Sequence, residues 1–362
     1  MTDMPAAPAP QPGIMEIELY QGGASKVAGH EDVLKLSSNE NPHGPPPSAI
    51  AAARDAASAM HLYPPTDHGG LRQAIAEVHD LDPDRIICGV GSDEIIHWLC
   101  QAYVGPGEEV LHPEYGFLMY PISARAAGGT PVAAPERERR VDVEAMLAAA
   151  TEKTKLCFIA NPANPTGTML GGQDVRRLAD GLPDGCLLVL DGAYAEFADD
   201  FDGGLGLTDL QDNVFCTRTF SKMYGLGGMR VGWGYGPRPV IDVLNRIRGP
   251  FNLSGPALAA AEAAMRDRDF AANCSADNRS QRARLRDGLL ENGIACDPSE
   301  TNFVLARFES EEEARDCDAF LKNRGIIVRH VAAYGLPHCL RMTVGTETQV
   351  DRLLEGIAAW RT

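Results

Sequence analysis

Residues 156–194 decide the fold, and they read LCFIANPANPTGTMLGGQDVRRLADGLPDGCLLVLDGAY. The apolar runs at Leu156–Ala160 and Leu187–Asp191 lack the alternation of a half-exposed strand, which is typical of strands buried on both faces. Between them, DVRRLADGL has the spacing of an amphipathic helix. A strand, a helix and a strand in this order predict two parallel strands joined by a helix that crosses one face of a sheet.

The same alternation continues in both directions along the chain. It predicts an α/β protein with a large, mainly parallel, seven-stranded sheet covered by helices on both faces. The predicted strands are Ile86–Val90, Glu109–His112, Pro131–Ala133, Leu156–Ala160, Leu187–Asp191, Val214–Thr217 and Val231–Tyr235. In such sheets, ligands bind beyond the carboxyl ends of the strands.

From about residue 257 the pattern changes to that of a smaller α+β domain. A long helical stretch rich in Ala and Arg runs to Asn292. It is followed by Asn302–Arg307, a helix near Glu311–Arg324, short strands at Ile326–Arg329 and Leu340–Val344, and a last helix near Thr348–Trp360. We therefore predict a flexible tail over 1–13, an arm over 14–45, a large domain over 46–256, and a linking helix with a small domain over 257–362.

The composition excludes several classes of function. Lys plus Arg is 33 and Asp plus Glu is 50, a net charge of −17, so the chain lacks the basic field that holds nucleic acid or an anionic membrane. The nine cysteines form no C-x-x-C pair and no H-E-x-x-H occurs, so we predict no metal site. With no secretory signal and no apolar run of ~20 residues, free thiols favour a cytoplasmic protein.

Polar residues follow several of the predicted strands. After the first strand, Gly91-Ser92-Asp93-Glu94 opens a helix, whose free N–H groups make either a phosphate seat or an ordinary capped end. The segment NPANPTG, residues 161–167, follows a second predicted strand, Leu156–Ala160. Asp191 ends a third strand, and a buried carboxylate there costs several kcal/mol unless it meets a partner. That partner is either the next backbone segment or a protonated ring nitrogen.

A further polar cluster surrounds Lys222, which lies in TRTFSK just before the glycine-rich GLGGMR. Most lysines are surface residues, and neither G-x-G-x-x-G nor G-x-x-x-x-G-K-[ST] is matched. Taken together, a lysine, a strand-end aspartate, an asparagine, a tyrosine, a Ser/Arg pair and a helix N-terminus are the groups that a pyridoxal phosphate site needs. The lysine binds the aldehyde, and the aspartate keeps the ring nitrogen protonated.

The order GSDE, NPANPTG, DGAY and SKMYGLGGMRVGW resembles that of the fold-type-I pyridoxal-phosphate-dependent aminotransferases, over nearly the whole chain after the tail. The resemblance implies that Lys222 carries the cofactor and that Asp191 pairs with its ring nitrogen. It implies these further cofactor contacts: Asn164 and Tyr194 on the ring hydroxyl, Ser221, Arg230 and the amides of Ser92 and Asp93 on the phosphate, and Tyr115 stacked on the ring. Tyr63 matches a tyrosine that reaches the neighbouring subunit's cofactor, so a homodimer with shared active sites and arm contacts is expected.

Two segments, LSSNENPHGP at 36–45 and IIVRHVAAYGLPHCLRMTVG at 326–345, resemble the histidinol-phosphate aminotransferase branch. This implies transfer of an amino group from L-histidinol phosphate to 2-oxoglutarate in histidine biosynthesis, with the substrate phosphate on Arg341, Arg329 and Tyr20. The chain departs from the branch at Gly22-Gly23, where a proline-containing turn is common, and at Glu114, where a small or apolar residue is usual.

Two alternatives remain open from the sequence. The first is an aminotransferase for aromatic amino or keto acids, including prephenate, whose motifs overlap with these. The second is a non-catalytic regulatory or binding protein of the same fold, although the chain keeps both the lysine and the aspartate that such a protein would be expected to lose.

Overall fold

The structure is a computed structural model that describes residues 8–20, 22–199 and 201–362. Residues 1–7 of the predicted tail lie outside the described residues. The α-helices are α1 (Pro47–Ala57), α2 (Gly69–His79), α3 (Gly91–Tyr103), α4 (Met119–Ala126), α5 (Val143–Ala149), α6 (Gly172–Gly181), α7 (Leu205–Leu210), α8 (Arg238–Ile247), α9 (Gly255–Arg266), α10 (Arg268–Glu291), α11 (Glu311–Asn323) and α12 (Glu347–Arg361). The strands are β1 (Leu34–Lys35), β2 (Ile86–Gly89), β3 (Glu109–Pro113), β4 (Thr130–Ala134), β5 (Glu136–Arg137), β6 (Arg140–Val141), β7 (Thr154–Ala160), β8 (Leu187–Asp191), β9 (Val214–Thr219), β10 (Gly232–Tyr235), β11 (Ala295–Cys296), β12 (Phe303–Arg307), β13 (Ile326–Ile327), β14 (Arg329–His330) and β15 (Cys339–Thr343).

The large sheet has seven strands in the order β2-β10-β9-β8-β7-β3-β4. All of its pairings are parallel except those of β10, which runs antiparallel to β2 and to β9. The predicted α/β fold with a large, mainly parallel, seven-stranded sheet is therefore confirmed.

Strand β8 shows why its sequence lacks alternation. Leu188 and Leu190 belong to the apolar core on one face of the sheet, whereas Leu187 and Val189 belong to the core on the other face. Every side chain of the strand is buried, so each position selects an apolar residue until Asp191. The strand thus delivers a carboxylate to the edge of the sheet where ligands bind.

The C-terminal part forms a second, antiparallel sheet in the order β11-β12-β15-β14. The arm joins this part, because β1 pairs in parallel with β13 through Leu34 and Ile326. The predicted single strand Ile326–Arg329 is wrong: it is divided into β13, which pairs with the arm, and β14, which pairs with β15. The division turns Arg329 away from the arm pairing and onto the sheet that carries Arg341.

The predicted continuous linking helix is also wrong, since it is broken at Asp267. The carboxylate of Asp267 accepts a hydrogen bond from the backbone N–H of Phe270 at 3.2 Å and so caps α10. Buried residues of α9 belong to the core of the large sheet, whereas Leu285 and Leu289 of α10 belong to the core of the small one. The boundary between residues 256 and 257 stays a prediction. Because Cys274 of α10 also belongs to the core of the large sheet, the packing changes from one core to the other within α10.

In the described part of the chain, no helix is both long enough and apolar enough to cross a membrane.

Candidate active site

A cavity of about 250 Å³ lies beyond the carboxyl ends of β7, β8 and β9, beside the start of α3. It brings together eleven of the residues singled out from the sequence: Tyr20, Ser92, Asp93, Asn164, Asp191, Tyr194, Ser221, Lys222, Arg230, Arg329 and Arg341. These residues come from three strand ends, one helix start, the arm and the small sheet. The position is the one that open parallel sheets offer to ligands.

Lys222 follows β9 and extends its amine into the cavity. Its Nζ donates to the backbone carbonyl of Ser38 at 3.3 Å and lies 5.9 Å from the centre of the Tyr194 ring. Burial, and then the positive charge of Arg341, lower the pKa of Lys222 to about 8. At this pKa roughly a tenth of the amine is unprotonated, and hence nucleophilic, at pH 7, far more than for an ordinary lysine.

Asp191 is buried at the end of β8, with only 3% of its surface exposed. Its carboxylate accepts hydrogen bonds from Tyr120 Oη at 2.9 Å, from Thr217 Oγ1 at 3.3 Å and from the backbone N–H of Ala193 at 3.2 Å. Burial raises the pKa of Asp191 to about 6, against the lowering effect of Tyr120. These donors are all neutral, so the site holds a buried anion that a cationic ligand group would compensate.

Tyr194 and Asn164 project into the cavity beside Asp191. The Tyr194 hydroxyl accepts from Asn39 Nδ2 at 2.8 Å, and burial raises the pKa of Tyr194. Asn164 Oδ1 accepts from Arg341 Nη1 at 2.5 Å. Both side chains are buried polar groups fixed by protein partners, as a preformed ligand site requires.

The start of α3 and Arg230 form one end of the cavity. Arg230 Nη1 donates to Ser221 Oγ at 3.0 Å, and Nη2 donates to Asp93 Oδ2 at 3.0 Å. A Cβ atom on Gly232 would lie 2.3 Å from the backbone nitrogen of Ser92, so only glycine allows β10 to run this close to the helix start. Free backbone N–H groups at the start of a helix, together with a guanidinium group, commonly form a phosphate-binding site.

Two further arginines, from adjacent strands of the small sheet, also line the cavity. Arg341 is buried, and its Nη2 donates to the backbone carbonyl of Ser37 at 3.1 Å. Arg329 donates from Nη1 to the carbonyl of Gly22 at 2.8 Å. The strand register places Arg329 opposite Arg341. Two cations so close together suit an anion with more than one negative charge.

Comparison with known proteins gives the family of this chain. The sequence model described as aminotransferase class I and II matches residues 31–357. The chain belongs to this family. Proteins named histidinol-phosphate aminotransferase are similar to it over nearly the whole length. The one from Dinoroseobacter shibae is 65% identical over 97% of this chain and 98% of its own, and the one from Jannaschia sp. is 61% identical over 98% and 99%.

Solved structures of the family have the same fold. The histidinol-phosphate aminotransferase of Sinorhizobium meliloti, crystallised in complex with pyridoxal-5'-phosphate, superposes with a TM-score of 0.88 at 29% sequence identity. The match covers 98% of this chain and 99% of that one. The family predicted from the four motifs is therefore confirmed.

Three residues discussed from the sequence do not line this aminotransferase's cavity. Tyr115 packs instead beside the small apolar cluster that contains Tyr334, because the turn at Gly116 rotates the chain, and Phe117 reaches the cavity wall in its place. Glu114 is exposed and outside the cavity lining, so its charge does not line the ligand site. Tyr63 is 81% exposed and stacks on Phe251 at 4.3 Å between ring centres.

Among the residues at the site that sequence reasoning missed are Phe117, Asn39, Tyr120 and Tyr334. Asn39 lies within the quoted motif LSSNENPHGP, and its left-handed backbone (φ 55°) turns its amide toward Tyr194. Tyr120 lies on α4, whose sequence gives no sign that its hydroxyl meets Asp191, 71 residues further along. Only the order of strands in the sheet brings these two residues together.

Proposed function

We propose that this protein is a histidinol-phosphate aminotransferase, which transfers the amino group of L-histidinol phosphate to 2-oxoglutarate, giving imidazole acetol phosphate and L-glutamate. Relatives of that name cover 97–98% of the chain at 61–65% identity. The observation that carries the proposal is the presence of Arg329 and Arg341 in the same cavity as Lys222 and Asp191. A cofactor-binding lysine and a pair of cations thereby face one substrate-sized space.

The cavity fits pyridoxal phosphate. When bound, this cofactor supplies an aldehyde that takes up the amino group and a ring that withdraws electrons from the reacting carbon. Asp191, an anion with only neutral donors described around it, provides the partner that a protonated ring nitrogen needs. The start of α3 with Ser92 and Asp93, together with Arg230 and Ser221, provides a phosphate seat.

Each residue then has a proposed task. Lys222 binds the cofactor and, once released by substrate, moves a proton at the substrate's α-carbon, a step for which a pKa of about 8 is well placed. Tyr194 and Asn164 hold the ring hydroxyl. Phe117 stands in the cavity wall and is a better candidate than Tyr115 for the ring that stacks on the cofactor.

Arg329 and Arg341 are proposed to bind the substrate phosphate together with Tyr20. The sequence suggested that a partner chain lends Tyr20, but in the structure Tyr20 lines the cavity of its own chain. A phosphate monoester carries close to two negative charges at neutral pH, and two guanidinium groups bind a dianion with charge-assisted hydrogen bonds. An aromatic amino acid offers a single carboxylate, for which Arg341 alone suffices.

This difference gives the test. Removing one partner of a buried charge pair costs about 2–5 kcal/mol, so Arg329→Ala should lower kcat/KM for histidinol phosphate by about two to three orders of magnitude. Activity with phenylalanine should fall far less, and Arg341→Ala should impair both. Equal losses with the two substrates in Arg329→Ala would mean that Arg329 is structural, and would favour an aromatic aminotransferase.

We also propose a homodimer with shared active sites, in the cytoplasm. Met60, Leu62 and Tyr63 are 64–81% exposed, and Phe251 beside Tyr63 is 43% exposed, which is an unusual group of apolar side chains for a surface that faces water. A second copy covering this surface would bring Tyr63 toward the neighbouring cofactor. The nine cysteines are all free thiols, in keeping with a reducing compartment.

A further inference from the structure

The carboxylate of Asp93 lies in the part of the cavity where the cofactor phosphate is proposed to bind. Only the backbone amide of this residue was implicated by the sequence motif. Its side-chain oxygen Oδ2 lies 3.0 Å from Arg230 Nη2; both side chains are about 40% exposed, and both residues line the cavity. A negative charge therefore stands beside the place that a phosphate must enter, where the helix start and Arg230 otherwise favour an anion.

The charge of Asp93 acts on the rest of the site. It raises the pKa of Lys222, of Asp191 and of Tyr194, although burial is the larger influence on all three. Its field thus extends across the cavity. The negative charge of Asp93 repels the negatively charged phosphate and so weakens its binding. We therefore expect Asp93 to make a favourable interaction that offsets this repulsion.

The contacts of Arg230 indicate that interaction. Its backbone is in the left-handed region (φ 55°), which is uncommon for a residue with a side chain. Its Nη1 is held by Ser221 Oγ and the carbonyl of Gly227, and its Nη2 by Asp93. The guanidinium lies so close to Gly91 that a Cβ atom there would be 2.5 Å from Nη2. Asp93 is therefore the acceptor that fixes the outer end of the guanidinium across the start of α3.

We propose that the Asp93 carboxylate is a positioning residue, which orients Arg230 toward the cofactor phosphate while its charge limits how tightly that phosphate binds. The inference rests on the proposed use of pyridoxal phosphate and deepens it. Orientation and charge are separable, because an asparagine keeps the oxygen that accepts from Arg230 but lacks the charge, whereas an alanine has neither.

The test compares wild type, Asp93→Asn and Asp93→Ala as cofactor-free proteins. Each is titrated with pyridoxal phosphate and, separately, with pyridoxal, which has no phosphate, and the dissociation constants are measured by absorbance. Removing one partly screened like charge should make Asp93→Asn bind pyridoxal phosphate roughly threefold to tenfold more tightly than wild type. Asp93→Ala should bind it roughly tenfold more weakly than Asp93→Asn, since Arg230 is no longer held. Affinity for pyridoxal should stay within about twofold in all three.

A matched control is Asp351→Asn, which neutralises a similarly exposed carboxylate paired with Arg284 on the small sheet's side of the protein. It should leave both affinities unchanged.

Equal affinity of Asp93→Asn and Asp93→Ala for pyridoxal phosphate would overturn the positioning role. An Asp93→Asn affinity no higher than that of wild type would overturn the charge effect. A parallel change for pyridoxal would indicate a general loss of structure and would also overturn the proposal. If Asp93→Ala does not fold, the affinities of Asp93→Asn and wild type for pyridoxal phosphate and for pyridoxal still test the charge effect. Failure of the proposed function would be seen separately, as wild type that binds no pyridoxal phosphate or that binds it without transaminating histidinol phosphate.

Discussion

Replacing Asp191 by asparagine should change stability and activity in opposite directions. The carboxyl is buried, and its pKa rises from an ordinary 3.8 to about 6 in the folded, cofactor-free protein. Because the folded state binds this proton more tightly than the unfolded state, ionisation of Asp191 destabilises the fold above about pH 6. The penalty disappears as the pH falls below about 4. A rise of this size corresponds to roughly 3 kcal/mol at neutral pH.

Asparagine carries no charge, so this penalty is absent in Asp191→Asn. The cofactor-free variant should unfold with a free energy up to about 3 kcal/mol higher than wild type at pH 7, and the difference should vanish near pH 4. Turnover should fall, because an amide cannot stabilise a protonated ring nitrogen as a carboxylate does. A lost buried charge pair is worth about 3–5 kcal/mol, which corresponds to a loss of roughly 10²–10⁴-fold in kcat.

Urea unfolding of the cofactor-free proteins between pH 4 and pH 8 measures the first quantity, and steady-state kinetics with saturating cofactor measures the second. Asp318→Asn serves as a control, since Asp318 is a buried carboxylate paired with Lys322 outside the cavity, and its replacement should leave kcat unchanged. An Asp191→Asn variant with near-native kcat would show that Asp191 only supports the local backbone. A variant less stable than wild type at pH 7 would show that the three neutral donors already compensate its charge.

Two further outcomes follow from the site. Lys222→Ala should bind pyridoxal phosphate without a covalent bond and should not turn over, and in wild type the rate of cofactor attachment should rise with pH around 8, as the Lys222 amine loses its proton, when followed by stopped-flow absorbance. Native-like activity of the alanine variant would reject this role for Lys222. If the active sites are shared, mixing inactive Lys222→Ala subunits with impaired Tyr63→Phe subunits should restore some activity, because one site of the mixed dimer then has Lys222 and Arg230 from one chain and Tyr63 from the other. No recovery despite demonstrated subunit exchange would argue against sharing.

The large sheet could be predicted from sequence because its strands are buried on both faces. Successive residues of β8 pack alternately into the cores on the two faces of the sheet, so every position before Asp191 is apolar. The strand is therefore visible in the sequence as a continuous apolar run that ends at Asp191. The elements at the periphery gave weaker signals. The break at Asp267 depends on one capping hydrogen bond, and the division of Ile326–Arg329 depends on β1, which is distant in sequence. Local periodicity carries no information about either feature.

The same distinction applies to the site. Lys222, Asp191 and Asn164 lie in short motifs directly after strands, where chain order alone places them at the binding edge of the sheet. Tyr115 and Phe117 are separated by a single residue, Gly116, and the turn at Gly116 decides which ring faces the cavity. Asn39 and Tyr120 act through hydrogen bonds to residues 155 and 71 positions away, so only the folded chain shows them.

The charges around the arginines suggest how the site divides its affinity between two phosphates. Arg341 donates to Asn164 and to the carbonyl of Ser37, both neutral acceptors, so its positive charge remains available to an arriving anion. Arg230 is paired with a carboxylate and is partly neutralised before any phosphate arrives. In the proposed function a covalent bond to Lys222 also holds the cofactor, which can therefore tolerate this weaker attraction. The substrate has no such bond when it first binds to a protein of net charge −17, so the positive charge of Arg341, whose described acceptors are neutral, is needed at the substrate's end of the cavity.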